Sequence, residues 1–422
     1  MLQLGFRSGL MVPTSRSPDA APEIEDVITE EAGLRPPHGT APRVTMRFEE
    51  DELVAQGAPV AHHRTTPDIC FVAPMPARVA RVSLSNGHRL SEVVLFREAD
   101  GDVVTHDTSN VDKEGTLRRL IQVAGLWPTI NRRPFGGMPR ADERPSAIVI
   151  MARDTRPAAP DPLKALKGRE EAFARGCHAL RLLTDGPVFL CQAPDAMLLD
   201  RAETPGIEVV PVGPRHPQGA AGLRIHSLFP ASIERPVWDM HAEDVAALGD
   251  LVLTGRLPDT RLVHVGGPAL KRSRLVRTQA GADLRGLTFR DLTPGAHKLW
   301  SGSSLDGHPA RWLAPRDRQV TAMPSEPGRA SPHWLLDALT RSASPKPVIP
   351  TAALDQAFGG TLPAAAFLRA LSAGDDETAM KMGVLSLLEE DVALADYVLG
   401  GEAHLPSLLR GLLNHIKTEL AA

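Results

Sequence analysis

A chain of 422 residues with a formal net charge of −4, 42% hydrophobic and 23% charged residues has the composition of a soluble globular protein. Its length predicts about three domains, and its slightly acidic balance excludes a general nucleic-acid binder. The longest apolar runs, such as AIVIM at Ala147–Met151, fall far short of the roughly 18–20 residues needed to cross a bilayer, and MLQLGFRSGL lacks a signal-type core. The sequence is therefore read as cytoplasmic, working at a membrane, if at all, from the side or through a partner.

From Arg43 to Phe96 the pattern is one of short strands and turns: RVTMRF, EDELVAQGAPVAHH, DICFVAPMPARVARVSL and NGHRLSEVVLF. Asn86–Gly87 between two alternating apolar runs predicts a hairpin. The arrangement resembles the hammerhead of biotinyl/lipoyl carriers, but the loop that would display the attachment Lys reads HHRTTPD and has none. His62 and His63 fall in that polar stretch, where adjacent side chains point to opposite faces, a poor geometry for a shared metal ion. Cys70, Cys177 and Cys191 each lie inside an apolar run, as buried small hydrophobes do, with no CxxC pair for zinc or iron–sulfur ligation.

The segment GLWPTINRRPFGGMP, Gly125 to Pro139, fits neither helix nor strand. Pro128 and Pro134 fix φ, and Gly136 and Gly137 permit positive φ, so a structured loop is expected. Its plainest role is to cover a core, with Trp127 and Phe135 as anchors and Arg132 and Arg133 solvated. From about Pro145 to Gly255 strand and helix alternate. SAIVIMA, PVFLC and GIEVVPVG read as strands, and Asp161–Thr184 carries Leu163, Leu166, Phe173, Cys177 and Leu180 at helical spacing. This βαβ pattern is Rossmann-like, but MARDTRPAAPDP stands where GxGxxG would cradle a pyrophosphate, so a dinucleotide site is not expected.

Strands return from Leu257: TRLVHVGG, SRLVRTQAG, HKLWSGSSLDG and RWLAPRDRQVTA. Lys271, Arg272, Arg274 and Arg277 lack interleaved aromatics and read as a solvated or partner-facing strand rather than an RNA patch. Beyond the Pro/Ser-rich TRSASPKPVIP linker the tail is helical. There Pro406 stands near a helix start, and Leu408, Leu409, Leu412, Leu413, Ile416 and Leu420 form one stripe expected to pack on its own domain, with a docking helix for a partner as the alternative.

Several segments agree in order with one family. VAQGAPVAHHRTTPDICFVAPMPARV, GLWPTINRRPF, VWDMHAEDVAALGDLVLTGRL and GGPALKRSRLVRTQAGADL resemble NqrA, the A-subunit of the Na+-translocating NADH:quinone oxidoreductase, over nearly the whole chain. The domain order is also similar to that of the C-subunit of the related ferredoxin:NAD oxidoreductase, which adds Cys-rich cluster motifs missing here.

The resemblance implies an α/β multidomain chain: a carrier-like β hammerhead (1–105), a Rossmann-like α/β domain (106–256), an SLBB/β-grasp domain (257–330) and a C-terminal helical domain (331–422). It further implies a peripheral subunit on the cytoplasmic face of the cell membrane, with no covalently bound cofactor and no catalytic or metal-binding residue of its own. NADH, FMN, FAD and Fe-S centres belong to partner subunits, and ubiquinone is reduced where this chain meets the membrane-embedded B-subunit, NqrB. Within that frame Trp127, Arg132, Arg133 and Phe135 form either a quinone-binding loop or a docking loop. Where the family pattern reads LCxFVCPGK this chain has LADYVLGGE, Leu394–Glu402, without the thiols, Pro or Lys. That departure keeps open a second reading, a non-catalytic adaptor on another membrane oxidoreductase.

Overall fold

The structure, a computed structural model, describes residues 8–13, 23–37, 39–199, 205–325, 351–401 and 403–420. The TRSASPKPVIP linker, the expected boundary at 330/331 and Glu402 lie outside the described residues. The chain is mixed α/β with several sheets.

The first β unit holds two antiparallel sheets. In one, Glu31–Leu34, Arg89–Arg97, Ala77–Ser85 and Leu53–Val54 lie side by side; in the other, Val44–Met46, Pro59–His63 and Cys70–Val72. Alternation sends Val79, Val93, Leu95, Val60 and Phe71 to the shared core. Asn86–Gly87 does turn a hairpin, with Gly87 and His88 both at positive φ and Ser85 paired with Arg89. His62 and His63 end the Pro59–His63 strand instead of lying in a loop.

The α/β unit is built on five strands in the order Ile207–Pro211, Val188–Gln192, Ala147–Met151, Val237–His241, Asn131–Arg133. The first four are parallel, and Asn131–Arg133 closes the edge antiparallel to Val237–Asp239. Strands buried on both faces need continuous apolar runs, and AIVIM is one. The stretch Asp161–Thr184 is broken into two helices, Pro162–Leu166 and Glu170–Arg181, at Gly168, whose φ is +79°.

The helices Glu170–Arg181 and Ala242–Thr254 pack face to face, and small residues set their distance. A Cβ on Gly249 would lie 1.6 Å from the Ala172 carbonyl oxygen, and one on Gly176 1.9 Å from that of Val245. Ala is the better helix former by about 1 kcal/mol, yet Gly249→Ala is expected to destabilise the chain, because rigid backbone must move apart. Chemical denaturation checks this; an equal or more stable variant would contradict it.

The third unit is a six-stranded sheet in the order Ile24–Asp26, Arg274–Thr278, Arg261–Gly266, Gln319–Pro324, His297–Ser301, His308–Pro309. Its first strand comes from the N-terminal part of the chain and pairs parallel to Leu275–Arg277. The LKRSRLVR charges are partly internal. Arg274 is buried and bonded to Glu25 at 2.6 Å and to the Leu287 carbonyl, and Arg272 is bonded to Asp291 at 3.0 Å. The fourth unit is helical: Ala352–Ala357, Ala364–Ala373, Asp376–Lys381, Glu389–Val398 and Leu405–Leu420. In the last helix Leu409, Leu412, Leu413 and Ile416 enter the unit's own core, while Leu420 is exposed. Among the described residues no helix is long and apolar enough to cross a membrane.

Candidate functional site

The loop Gly125–Pro139 runs where the units meet, and its side chains turn inward. Trp127 opens a short helical turn, Trp127–Thr129, and is completely buried. Its Nε1 donates to the Pro139 carbonyl at 2.9 Å, closing the loop on itself. Its ring meets Trp238 edge to face at 5.4 Å, and the Arg118 guanidinium lies 5.5 Å from its centroid. Trp238 donates to one oxygen of the buried Glu143 carboxylate, and Arg132 Nε donates to the other at 2.6 Å. Arg132 is thus committed to its own unit.

Arg133, on the antiparallel edge strand, is also completely buried. Its five donors face three carboxylates: Asp239 at 3.1 Å, Asp391 at 2.9 Å and Glu390 at 2.9 Å. Asp239 belongs to the neighbouring strand; Glu390 and Asp391 open the helix Glu389–Val398 of the C-terminal unit. Asp391 also accepts from the backbone N–H groups of Leu388 and Gly222 at 2.8 and 2.9 Å. Burial pushes its carboxyl up, to about 7, against the pull of Arg133 and of those two donors. Burial works against the Arg133 charge, but the three carboxylates outweigh it and make the guanidinium hold its proton more firmly than usual.

Phe135 takes a positive φ of 79°, unusual for an aromatic residue, and its side chain joins the C-terminal core with Leu223 and Leu388. Its carbonyl accepts from Arg410, which grips Glu389 with two donors. From the six-stranded unit Arg316 reaches into the same loop. It donates to the carbonyls of Pro128, Ile130 and Gly137 and to Asn131 Oδ1 at 2.6 Å, while its Nε has no hydrogen-bond partner among the described residues. Burial lowers this guanidinium to about 10. One loop therefore ties three units together, each through an arginine.

Beside the loop, at the C-terminal ends of Ala147–Met151 and Val237–His241, opens a polar cleft of about 260 Å³. The strand order switches between those two strands, which is where open parallel sheets take ligands. Here the turn after Met151 fills the crevice with charge. Arg156 bonds Asp154 through Nε and Nη2 and reaches Asp306 of the six-stranded unit at 3.1 Å. Although burial works against it, Arg156 draws Asp154 down to about 2. A phosphate brought to this turn would meet the Asp154 and Asp306 carboxylates. A second, mainly apolar cavity of about 140 Å³ also borders the loop, lined by Leu34, Phe71, Leu126 and Pro128 and also by charged residues such as Glu243 and Arg261.

His216, at the polar cleft, is 4% exposed and bonded to Thr155 at 3.1 Å; burial depresses it to about 4, as it does His264 in the six-stranded sheet. Each binds fewer protons folded than unfolded between about pH 4 and the ordinary value of 6.5. Their stability contribution is therefore complete above that window and falls as pH drops through it, by up to about 3 kcal/mol per group. Urea titrations from pH 7 to 4.5 check this: His216→Gln should flatten the dependence, and an unchanged slope would contradict the assignment.

The expected site residues are thus brought together, but facing inward, and Arg133 is the opposite of solvated. Sequence reading missed Arg316, Arg410, Glu143 and Asp391. Only the acidic triplet Glu389–Asp391 at a helix start carried a local signal, and nothing local marked its partner 258 residues away.

Comparison with known proteins gives a consistent picture. Residues 111–257 match a family model described as the NqrA second alpha/beta domain, and residues 262–311 match the NQRA C-terminal domain, of SLBB type. The chain is 30% identical to the Na(+)-translocating NADH-quinone reductase A-subunit of Shewanella amazonensis, over 98% of this chain and 99% of that one. It is 31% identical to that of Teredinibacter turnerae, over 90% and 92%, and 30% identical to that of Alcanivorax borkumensis, over 98% and 99%. Solved chains of an NAD+-reducing [NiFe]-hydrogenase superpose over 72% of this chain and 64% of theirs with a TM-score of 0.39 and 13% identity, too loose a likeness to carry a fold or an activity across.

Proposed function

The chain belongs to the NqrA family of Na+-translocating NADH-quinone reductases, and from that premise we propose that it is the peripheral, cytoplasmic-face subunit of such a complex, docked on the membrane-embedded NqrB and contributing to the region where ubiquinone is reduced. One observation carries this reading: the similarity spans 98% of this chain and 99% of the relative, so it reaches well beyond a single shared module. The lack of a membrane-crossing helix among the described residues is compatible with attachment through partners.

The loop's share in this function is indirect. A quinone headgroup needs free donors beside an apolar wall, and the donors of Trp127, Arg132 and Arg133 are spent on internal partners. The loop instead holds the units in fixed relation, so that the assembled surface fits its neighbour. Of the spaces it borders, the apolar cavity at Leu126 and Pro128 has the size to receive a small ring.

The test is affinity purification of the tagged chain from native membranes, with identification of what comes with it. The other subunits of the sodium-pumping reductase are expected, together with NADH:quinone activity. Recovery of the chain alone, or with a different membrane oxidoreductase, would overturn the reading and favour an adaptor.

A further inference from the structure

Away from the junction, the C-terminal unit brings together Asp376, which opens the helix Asp376–Lys381, and His415 and Glu419, one turn apart on the last helix Leu405–Leu420. His415 Nε2 lies 3.3 Å from Asp376 Oδ2 and 3.5 Å from Glu419 Oε1, and the three donor atoms all fall within 4.8 Å of one another. Ligands at about 2.0–2.2 Å from a tetrahedral ion stand roughly 3.3–3.5 Å apart. The two distances to the imidazole already have that value, and Glu419, exposed and on a flexible stem, needs only a rotamer change to complete the set.

A second observation concerns the other oxygen of Asp376. Oδ1 is shut off from solvent and has no hydrogen-bond partner among the described residues, a costly state for a carboxylate oxygen. A cation on Oδ2 would offset the negative charge that this carboxylate shares between the facing oxygen and the enclosed one.

We propose that Asp376, His415 and Glu419 bind one divalent transition-metal ion of the Zn2+ class, with water in the remaining position. One imidazole and two carboxylates suit Zn2+, whereas Mg2+ and Ca2+ favour all-oxygen sets. The ion would pin the last helix to the helix Asp376–Lys381, and so stabilise the unit that Arg133 and Arg410 clamp. His415 and Glu419 stand four residues apart on one helix, but Asp376 comes from another helix, so no complete spacing motif announced the set.

The experiment is equilibrium dialysis of the metal-stripped, untagged full chain against ZnCl2, with thermal unfolding alongside. Wild type is expected to retain one Zn2+ per chain more than His415→Ala, and to gain several degrees in Tm with Zn2+ where the variant gains none. Asp376→Asn should weaken Zn2+ binding at least tenfold, and MgCl2 should not substitute. Because His415 and Glu419 are more than half exposed, His415→Ala should fold normally, which circular dichroism verifies. Equal Zn2+ retention by wild type and both variants, or a Tm that Zn2+ shifts equally in all three, would overturn the proposal.

Discussion

Arg133→Ala is expected to lower stability by about 3–5 kcal/mol, the cost of removing one partner from a buried ion-pair network. The penalty follows from what stays behind. Asp391 is completely buried and Asp239 nearly so, and each loses the guanidinium that neutralised it. The loss should depend on pH with a definite sign. Burial already raises the Asp391 carboxyl, and without Arg133 it will take up a proton more readily, relieving the uncompensated charge. The variant's deficit should therefore shrink from pH 8 to pH 6. Denaturant titrations of both proteins at the two pH values check this. In membranes the same variant chain should dissociate from its partners, with activity lost alongside, while any complex that does assemble keeps its quinone Michaelis constant. Normal assembly with a raised Michaelis constant would restore the direct-ligand reading of the loop.

Trp127→Ala should cost a similar amount, about 3–5 kcal/mol, by a different mechanism. The indole is wholly enclosed between the loop, Trp238 and Arg118, so truncation leaves a cavity that rigid neighbours cannot fill. Trp127→Phe separates shape from hydrogen bonding. It keeps most of the ring and strands the Pro139 carbonyl that Nε1 satisfied, at about 1–3 kcal/mol. Equal losses for the two variants would mean that the hydrogen bond, not the packing, fixes the loop. If instead Trp127→Ala leaves stability unchanged, the indole is not the anchor described here.

How far the sequence spoke can be judged from this loop. Its turns were legible, because Pro128, Pro134 and the paired glycines are local signals that act on φ and ψ, but the reading that it fits neither helix nor strand was wrong: Trp127–Thr129 form a helical turn and Asn131–Arg133 an edge strand. That Trp127 and Phe135 are anchors was legible too, as both are large and apolar. The fate of the arginines was not. Whether Arg133 faces water or Asp391 depends on a helix that begins some 258 residues later, and no periodicity encodes that distance. The same limit hid the strand Ile24–Asp26, which leaves its sequence neighbours to pair with Leu275–Arg277, and the meeting of Asp376 with His415 of the last helix. Strands such as AIVIM and the apolar stripe of the last helix were readable because burial on both faces, or along one stripe, leaves a local imprint.

The claim that the loop works by clamping units together is tested most directly by a double-mutant cycle on Arg133 and Asp391 in the isolated full chain. Arg133→Met, Asp391→Asn and the double variant are compared with wild type by chemical denaturation. A clamp predicts that each single change is severe and that the double variant recovers much of the loss, a coupling of about 2 kcal/mol or more. Strictly additive effects would contradict it, because two side chains that stabilise independently do not hold two units to each other.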